Sequence, residues 1–307
     1  MIKVFIDGSA GTTGLRIRGM LEKRADISLI TLSEAARKEI SARKDALNSA
    51  DVAFLCLPDD AAREAVSLVE NGDTIVIDAS TAHRTSPDWA YGFPELSAKH
   101  RAAIANGKRI ANPGCYASGF IALVYPLIAA GVAAKDYPFV CHAVSGYSGA
   151  GKKGIAEYEA ADRPSCYDTP RLYALSQQHK HLPEMKTVCG LSRTPIFNPY
   201  VCDYDCGMTV NVPIYPDLLK KKISAEDLEA LYRTHYAGQR FVKVGKEPSG
   251  YISANTLNGT NDLEILVNGN DERILLTARL DNLGKGASGA AIQNMNIALG
   301  LDEGVSL

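Results

Sequence analysis

Residues 1–32 read MIKVFIDGSAGTTGLRIRGMLEKRADISLITL, and this stretch decides the fold. Residues 3–7 are an apolar run with no polar alternation, as expected of a strand buried on both faces. A glycine-rich turn follows at once, then a helical pattern over residues 14–23 and a second apolar run at 27–32. The pattern continues outward, with a helix expected near 34–44, strands at 52–57 and 74–78, and a helix at 59–70 between them. A further strand is expected at 109–111. Strands alternating with helices predict an α/β, doubly wound parallel sheet of the Rossmann type.

Asn112-Pro113-Gly114 is strong turn punctuation, and beyond it the pattern changes. Longer or more alternating runs at 139–144, 187–191, 207–213, 241–244, 263–267 and 273–280 read as strands, with a helix at 225–236 among them. This predicts a second, α+β domain with a mixed or antiparallel sheet. Residues 286–300 are again helical in pattern.

The chain has 307 residues, a hydrophobic fraction of 46%, a charged fraction of 22% and a formal net charge of -2. That balance excludes a basic surface for nucleic acid or for an anionic membrane, so neither is an expected partner. Seven scattered cysteines are an odd number in a long chain, which fits reduced thiols in a cytoplasmic protein better than a disulfide framework. The N-terminus lacks the charged and apolar regions of a signal peptide. Residues 117–134 are apolar enough to be mistaken for a membrane span, but Pro126 interrupts them, and a buried helix is the better reading.

The loop after the first strand is Gly8-Ser9-Ala10-Gly11-Thr12-Thr13-Gly14. Glycines let a backbone turn sharply toward a pyrophosphate, and a helix N-terminus presents free N–H groups. The spacing is G-x-x-G-x-x-G and not the strict fingerprint, so its position carries the inference: Gly8, Ser9, Gly11, Thr12, Thr13 and Gly14 are expected to bind a dinucleotide. At the end of the second strand an NAD site usually has an acid for the ribose hydroxyls. Here Ser33 stands, with Arg37 and Lys38 one turn on, which favours the 2′-phosphate of NADP, although Glu34 complicates the choice.

Cys115 sits where the Asn-Pro-Gly turn meets the long apolar helix. A helix N-terminus stabilises a thiolate and makes it a usable nucleophile. Cys56, Cys141 and Cys189 lie in apolar runs and read as small buried hydrophobes, and Cys202 and Cys206 lack the spacing of a zinc site, so no metal is expected. A nucleophilic thiol with a nicotinamide implies hydride chemistry on an acyl phosphate or thioester, because a free carboxylate is too poor an electrophile.

These motifs resemble those of the N-acetyl-gamma-glutamyl-phosphate reductase family, in its shorter sequence type, which is related to aspartate-semialdehyde dehydrogenase. The resemblance spans nearly the whole chain: GSAGTTG from Gly8, DASTAHR from Asp78, YGFPEL from Tyr91, NPGCYAS from Asn112, SGYSGAGKK from Ser145, HKHLPEM from His179 and DNLGKGASGAAIQNMN from Asp281. It implies reversible reduction of an acyl phosphate by NADPH to N-acetylglutamate semialdehyde and phosphate. Cys115 would be the nucleophile and His179 the acid/base group, with His181, Glu184 and Tyr173 beside it. A carboxylate such as Glu184 would orient the ring, and the choice between the two histidines stays open. Ser145, Gly146, Ser148 and Gly149 would lie against the nicotinamide, and Asn282 would contact its amide. Arg84, Asn112, Lys152 and Tyr173 would handle the substrate. One departure is His83, where the longer type has an aromatic.

The resemblance also implies that the tail returns to the first domain. The expected division is therefore 1–114 with 285–307 for NADP binding, and 115–284 for catalysis and assembly of a homo-oligomer, a dimer or a tetramer. Aspartate-semialdehyde dehydrogenase is the nearest alternative. A non-catalytic NADP-binding protein is a second, and it would need neither Cys115 nor His179.

Overall fold

Ile2–Asp7 forms β1, and its last four residues are all buried. It is followed by α1 (Thr12–Leu21), β2 (Ile27–Ile30), α2 (Ile40–Ser49), β3 (Val52–Leu55), α3 (Asp59–Ser67), β4 (Ile75–Asp78), β5 (Ala90–Tyr91), α4 (Ala98–Asn106) and β6 (Arg109–Ala111). The structure, a computed structural model, describes residues 1–307 and divides into two compact units, Met1–Pro113 with Ala287–Leu307, and Gly114–Gly286.

The six strands of the first unit are all parallel, in the order β2-β1-β3-β4-β6-β5. The strand order reverses between β1 and β3, and the crevice at the carboxyl ends of such a pair is where open α/β sheets bind ligands. Every residue of β3 and β4 is buried, because helices cover both faces of the sheet. One face packs Val4, Phe54 and Ile77 against Ile17 and Leu21 of α1; the other packs Phe5, Ala53 and Val76 against Leu47 of α2 and Ala62 and Ala65 of α3.

The second unit holds α5 (Cys115–Ala129), β7 (Val140–Gly146), α6 (Gly151–Glu159), β8 (Arg171–Leu172), α7 (Leu182–Val188), β9 (Ile196–Cys202), β10 (Met208–Ile214), α8 (Ala225–His235), β11 (Val242–Val244), β12 (Leu263–Asn270) and β13 (Arg273–Leu280). Its seven strands run in the order β11-β12-β13-β10-β7-β9-β8, with β7–β9 and β11–β12 parallel and the other pairs antiparallel. The apolar stretch after Cys115 lies on this sheet as α5. A Cβ on Gly119 would stand 2.5 Å from Val210 of β10, so glycine sets how closely that helix approaches. No helix is long and apolar enough to cross a membrane.

The chain then makes a π-helical turn, Gly284–Ser288, and continues as α9 (Gly289–Ala298). Ala291, Ile292 and Met295 of α9 complete the first unit's core. Its polar side chains are buried too, and all are bonded within that unit. Gln293 donates to Glu95, Asn294 donates to the Gly92 carbonyl and to the Asn112 side chain, and Asn296 accepts from Arg24.

Two expected elements are corrected. Residues 187–191 are not a strand: α7 runs through Val188, started by Pro183 and by Glu184 in its first turn and ended at Gly190, whose φ is 65°. The helix expected near 34–44 begins late, because the Ser33 hydroxyl accepts the Ala36 N–H and shapes a 3-10 turn, and Glu39 is extended before α2 starts at Ile40. Strands β5, β8 and β9 and helices α4 and α6 carry too little pattern to have been anticipated.

Candidate active site

Two constellations stand out, one in each unit. In the first, Gly8 has a φ of 86°, and a Cβ there would lie 2.2 Å from the Cys56 carbonyl oxygen. The loop after β1 is thus pressed against the end of β3, at the point where strand order reverses. A Cβ on Gly14 would lie 2.6 Å from the Gly8 carbonyl oxygen, so the loop is folded tightly onto the start of α1. No side chain caps that helix, and the Thr12 hydroxyl oxygen is buried without a hydrogen bond. Beside the loop, Ser9, Arg18, Thr31, Leu32 and Arg37 line a cavity of about 120 Å³ with Phe5, Ile6, Leu29 and Ile30. No carboxylate lines it. Arg18 was not anticipated from sequence, although α1 carries it one turn past Gly14.

Two expected substrate residues of this unit are engaged in its own framework. Arg84 is buried and donates to the carbonyls of Asn112 and Ala79. The Asn112 amide donates to the Ala287 carbonyl and accepts from Asn294. Asp78, buried at the end of β4, accepts from the Ser80 amide and hydroxyl and pairs with Nδ1 of His83 at 2.6 Å. His83 in turn stacks on Trp89 with ring centroids 4.1 Å apart.

In the second unit, Gly114 is the N-cap of α5 and Cys115 its first residue, half-buried. The Gly114 N–H donates to Oε1 of Glu184 at 2.9 Å, and the Ser118 N–H and hydroxyl both bond the Gly114 carbonyl. Glu184 is 2% exposed. Its carboxylate therefore braces the residue that precedes the thiol.

His179 sits in a cage of rings, with centroids 5.9 Å from Tyr116, 5.8 Å from Tyr173, 5.0 Å from Phe197 and 4.7 Å from His181. Its Nδ1 accepts the His181 N–H at 3.1 Å, so in the neutral ring the proton resides on Nε2. The Tyr116 hydroxyl donates to the Tyr200 carbonyl at 3.4 Å and lies near the hydroxyls of Tyr173 and Ser145. Burial raises both phenols well above their ordinary range, and negative charge on the nearby Cys115 sulfur raises them further, so both stay protonated near neutral pH. Cys115, Tyr116, Tyr173, Ser145 and His179 are thus brought together.

The segment that carries His179 is pinned by an amide. The Gln177 side chain donates to the Phe197 carbonyl at 2.8 Å and accepts the Phe197 N–H at 2.9 Å, mimicking a strand partner on β9. Ala174 and Gln177 have φ of 54° and 57°, a conformation that costs energy for residues other than glycine and that clusters at functional sites. Neither Tyr116 nor Gln177 was singled out from sequence, since both act through contacts distant along the chain.

The loop after β7 is fixed by Asn282. Its amide donates to the Ser148 hydroxyl at 3.0 Å and its oxygen accepts the Gly207 N–H at 2.7 Å. Ser148 also contacts the Cys206 sulfur at 3.3 Å, and a Cβ on Gly149 would lie 3.2 Å from the Asn282 amide nitrogen. Lys152 follows on α6, exposed. Cys56, whose thiol burial and the carboxylates of Asp78 and Asp7 push up to about 12, and the buried Cys141 and Cys189 are kept neutral by their surroundings.

Known proteins resemble this chain in sequence and in fold. Residues 3–104 match the family described as semialdehyde dehydrogenase, NAD binding domain, and residues 115–282 match semialdehyde dehydrogenase, dimerisation domain. A Pseudomonas putida protein named N-acetyl-gamma-glutamyl-phosphate reductase 2 is 48% identical over 305 residues, covering 97% of this chain and 96% of its own. A Nostoc protein of the same name is 47% identical and covers 99% of each chain. In fold, the chain is similar to aspartate semialdehyde dehydrogenase II of Vibrio cholerae, with a TM-score of 0.74 at 15% identity over 97% of this chain and 98% of that one. By sequence over nearly its full length, the chain belongs to the N-acetyl-gamma-glutamyl-phosphate reductase family of semialdehyde dehydrogenases.

Proposed function

We propose that this protein reduces N-acetyl-gamma-glutamyl phosphate to N-acetylglutamate 5-semialdehyde, releasing phosphate, with NADPH as reductant and Cys115 as nucleophile. The observation that carries this reading is the junction at Cys115: a half-buried thiol opening a 15-residue helix, beside two neutral phenols and the caged His179. The names of relatives 47–48% identical over nearly the whole chain support the choice of substrate.

The N-terminal dipole of α5 stabilises the Cys115 thiolate. The sulfur attacks the acyl carbon, the carbon–oxygen bond to phosphate breaks, and phosphate leaves with the bonding electron pair, which yields a thioester. When bound, the reduced nicotinamide supplies a hydride to the thioester carbon. The Nε2–H of neutral His179 donates to the carbonyl oxygen as negative charge develops there, with His181 holding the ring's orientation. Collapse of the tetrahedral oxyanion re-forms the carbonyl, expels the thiolate and frees the aldehyde, and in the reverse direction the same Nε2–H stabilises the same oxyanion. Lys152, Tyr173 and Arg84 are assigned to the substrate, with Asn112 positioning Arg84 through its carbonyl.

The residues of the first unit fit a dinucleotide. The folded loop from Gly8 to Gly14, the open start of α1 and the unsatisfied Thr12 hydroxyl suit a pyrophosphate. Two guanidinium groups and no acid line the cavity beyond Ser9, which supports NADP over NAD, with Ser33 and Arg37 at the 2′-phosphate. Ser145, Gly146, Ser148, Gly149 and Asn282 are assigned to the nicotinamide end. Residues 1–114 with 285–307 would then bind cofactor, and 115–284 would carry catalysis and assembly.

Self-association is supported by the sheet face opposite α5, where Leu275 lies beside Pro213 and Val140 beside Ile196. Leu275 is 37% and Ile196 55% exposed, an apolar surface suited to a second copy of the chain. Seven free cysteines fit a reducing, cytoplasmic setting.

The test is turnover in the reverse direction with phosphate and NADP, comparing N-acetylglutamate semialdehyde with aspartate semialdehyde. A clear preference for the aspartate compound would overturn the substrate, and full activity of a folded Cys115→Ser variant would overturn the thioester. An Arg37→Ala variant is expected to raise KM for NADPH on the order of tenfold or more while leaving that for NADH little changed.

A further inference from the structure

Gly286 lies in the π-helical turn Gly284–Ser288 and is buried. Its φ lies outside the left-handed region, so backbone conformation does not require glycine there. What requires it is space. A Cβ at this position would stand 2.8 Å from the Cβ of Cys115, 3.3 Å from its Cα and 3.2 Å from the Asp281 carbonyl oxygen.

The approach is made possible by the turn itself. The Gly286 N–H donates to the Asp281 carbonyl five residues back, the spacing of a π-turn, which bulges the main chain outward by one residue relative to an α-turn. That turn cannot retreat easily. A Cβ on Gly284 would meet the Thr260 carbonyl at 2.1 Å, and the Asp281 carboxylate is held by the amides of Gly259 and Leu283. The turn is therefore wedged, with Gly286 as the face presented to Cys115.

From this geometry we infer that Gly286 is a positioning residue for the Cys115 thiol: the bare π-turn backbone is the floor that fixes where the first residue of α5, and hence its sulfur, stands. The inference rests on Cys115 being the nucleophile. A methyl group at 286 displaces Cys115 by a few tenths of an ångström or more, which moves the sulfur from its line of attack without removing any group that binds substrate or cofactor.

The experiment is Gly286→Ala, with kcat, KM and the rate of Cys115 alkylation as readouts, beside Cys115→Ser. The expected result is a fall in kcat on the order of 10- to 100-fold, with KM for substrate and for NADPH changed by less than about threefold, and a changed alkylation rate. Wild-type kcat and alkylation in Gly286→Ala, with Cys115→Ser inactive, would overturn the positioning role and leave the nucleophile intact. An active Cys115→Ser would instead overturn the reading beneath it. Should Gly286→Ala fold poorly, the double variant with Cys115→Gly decides, since removing the Cys115 Cβ relieves the 2.8 Å contact. The loss in Tm caused by Gly286→Ala is expected to shrink in that background, and an equal loss in both backgrounds overturns the inference.

Discussion

The carboxylate of Glu184 accepts the N–H of Gly114 at 2.9 Å, one residue before the thiol that opens α5. The two are far apart in sequence and both are buried. A carboxylate here holds the start of the helix, and its negative charge also opposes formation of a thiolate next to it. Geometry and charge can be separated by substitution. Glu184→Gln keeps an acceptor and removes the charge, so Cys115 alkylation at pH 7 is expected to quicken and stability to change by less than about 1 kcal/mol. Glu184→Ala leaves the Gly114 N–H without this acceptor and is expected to cost ~1–3 kcal/mol by denaturant melts, with kcat falling more than in Gln. Equal behaviour of the two variants would contradict the brace.

Gln177 is the second lever on the site. Its amide replaces a strand partner on both polar groups of Phe197, whose ring packs on His179. Gln177→Ala loses both bonds and keeps the strained φ of 57°. Expected are a drop in kcat of roughly tenfold and a loss of about 1–2 kcal/mol in stability, measured by steady-state kinetics and urea unfolding. Gln177→Gly relieves the backbone strain and is expected to recover part of the stability but none of the kcat, because the tether is still missing.

The thiols should differ sharply in reactivity. Cys141 and Cys189 are buried and Cys56 is half-buried beside the carboxylates of Asp78 and Asp7, and desolvation keeps all three protonated. Cys115 at its helix start and the exposed Cys166 are the ones expected to be carbamidomethylated at pH 7.5. Peptide mapping after brief iodoacetamide treatment reads this directly. In a Cys166→Ser background, loss of activity should follow labelling of Cys115 one for one, and labelling of Cys56 ahead of Cys115 would contradict the burial argument.

Cys56 also predicts an alkaline limit. Burial, with Asp78 and Asp7 adding to it, pushes its folded-state thiol up to about 12, against about 8.5 in an unfolded chain. Between those values the folded state holds a proton that the unfolded state releases. The stabilising contribution is therefore whole below about pH 8.5 and is lost as pH rises toward 12. Melting curves from pH 7.5 to 10.5 are expected to fall more steeply for the wild-type protein than for Cys56→Ala, and parallel slopes would assign the alkaline loss to other groups.

Sequence periodicity made the first unit legible because both faces of its strands are covered, which leaves unbroken apolar runs such as Val52–Leu55 and residues 75–77. The Gly8 loop was readable for a related reason: a turn pressed on a neighbouring carbonyl leaves no side chain as an option. Cys115 was legible from the turn before it. Residues 187–191 misled because Thr, Val, Cys and Leu favour strands locally, while Pro183 and Glu184 had already started a helix. Tyr116, Gln177 and Gly286 were silent for another reason. Their work is done by contacts with Tyr173, Phe197 and Cys115, which no local window contains.

The last helix has a bearing on how the molecule comes into being. Translation completes residues 1–113 early, yet Ala291, Ile292 and Met295 are part of the same hydrophobic core as Val4 and Ile77. Until residues 291–295 are made, one face of the nascent parallel sheet is only partly covered, by α1 and Ile104 of α4. All of Gly114–Gly286, by contrast, is already available to fold. The segment made later is thus the one able to mature first, an inversion of the usual vectorial order, and the earlier segment waits for residues 287–307.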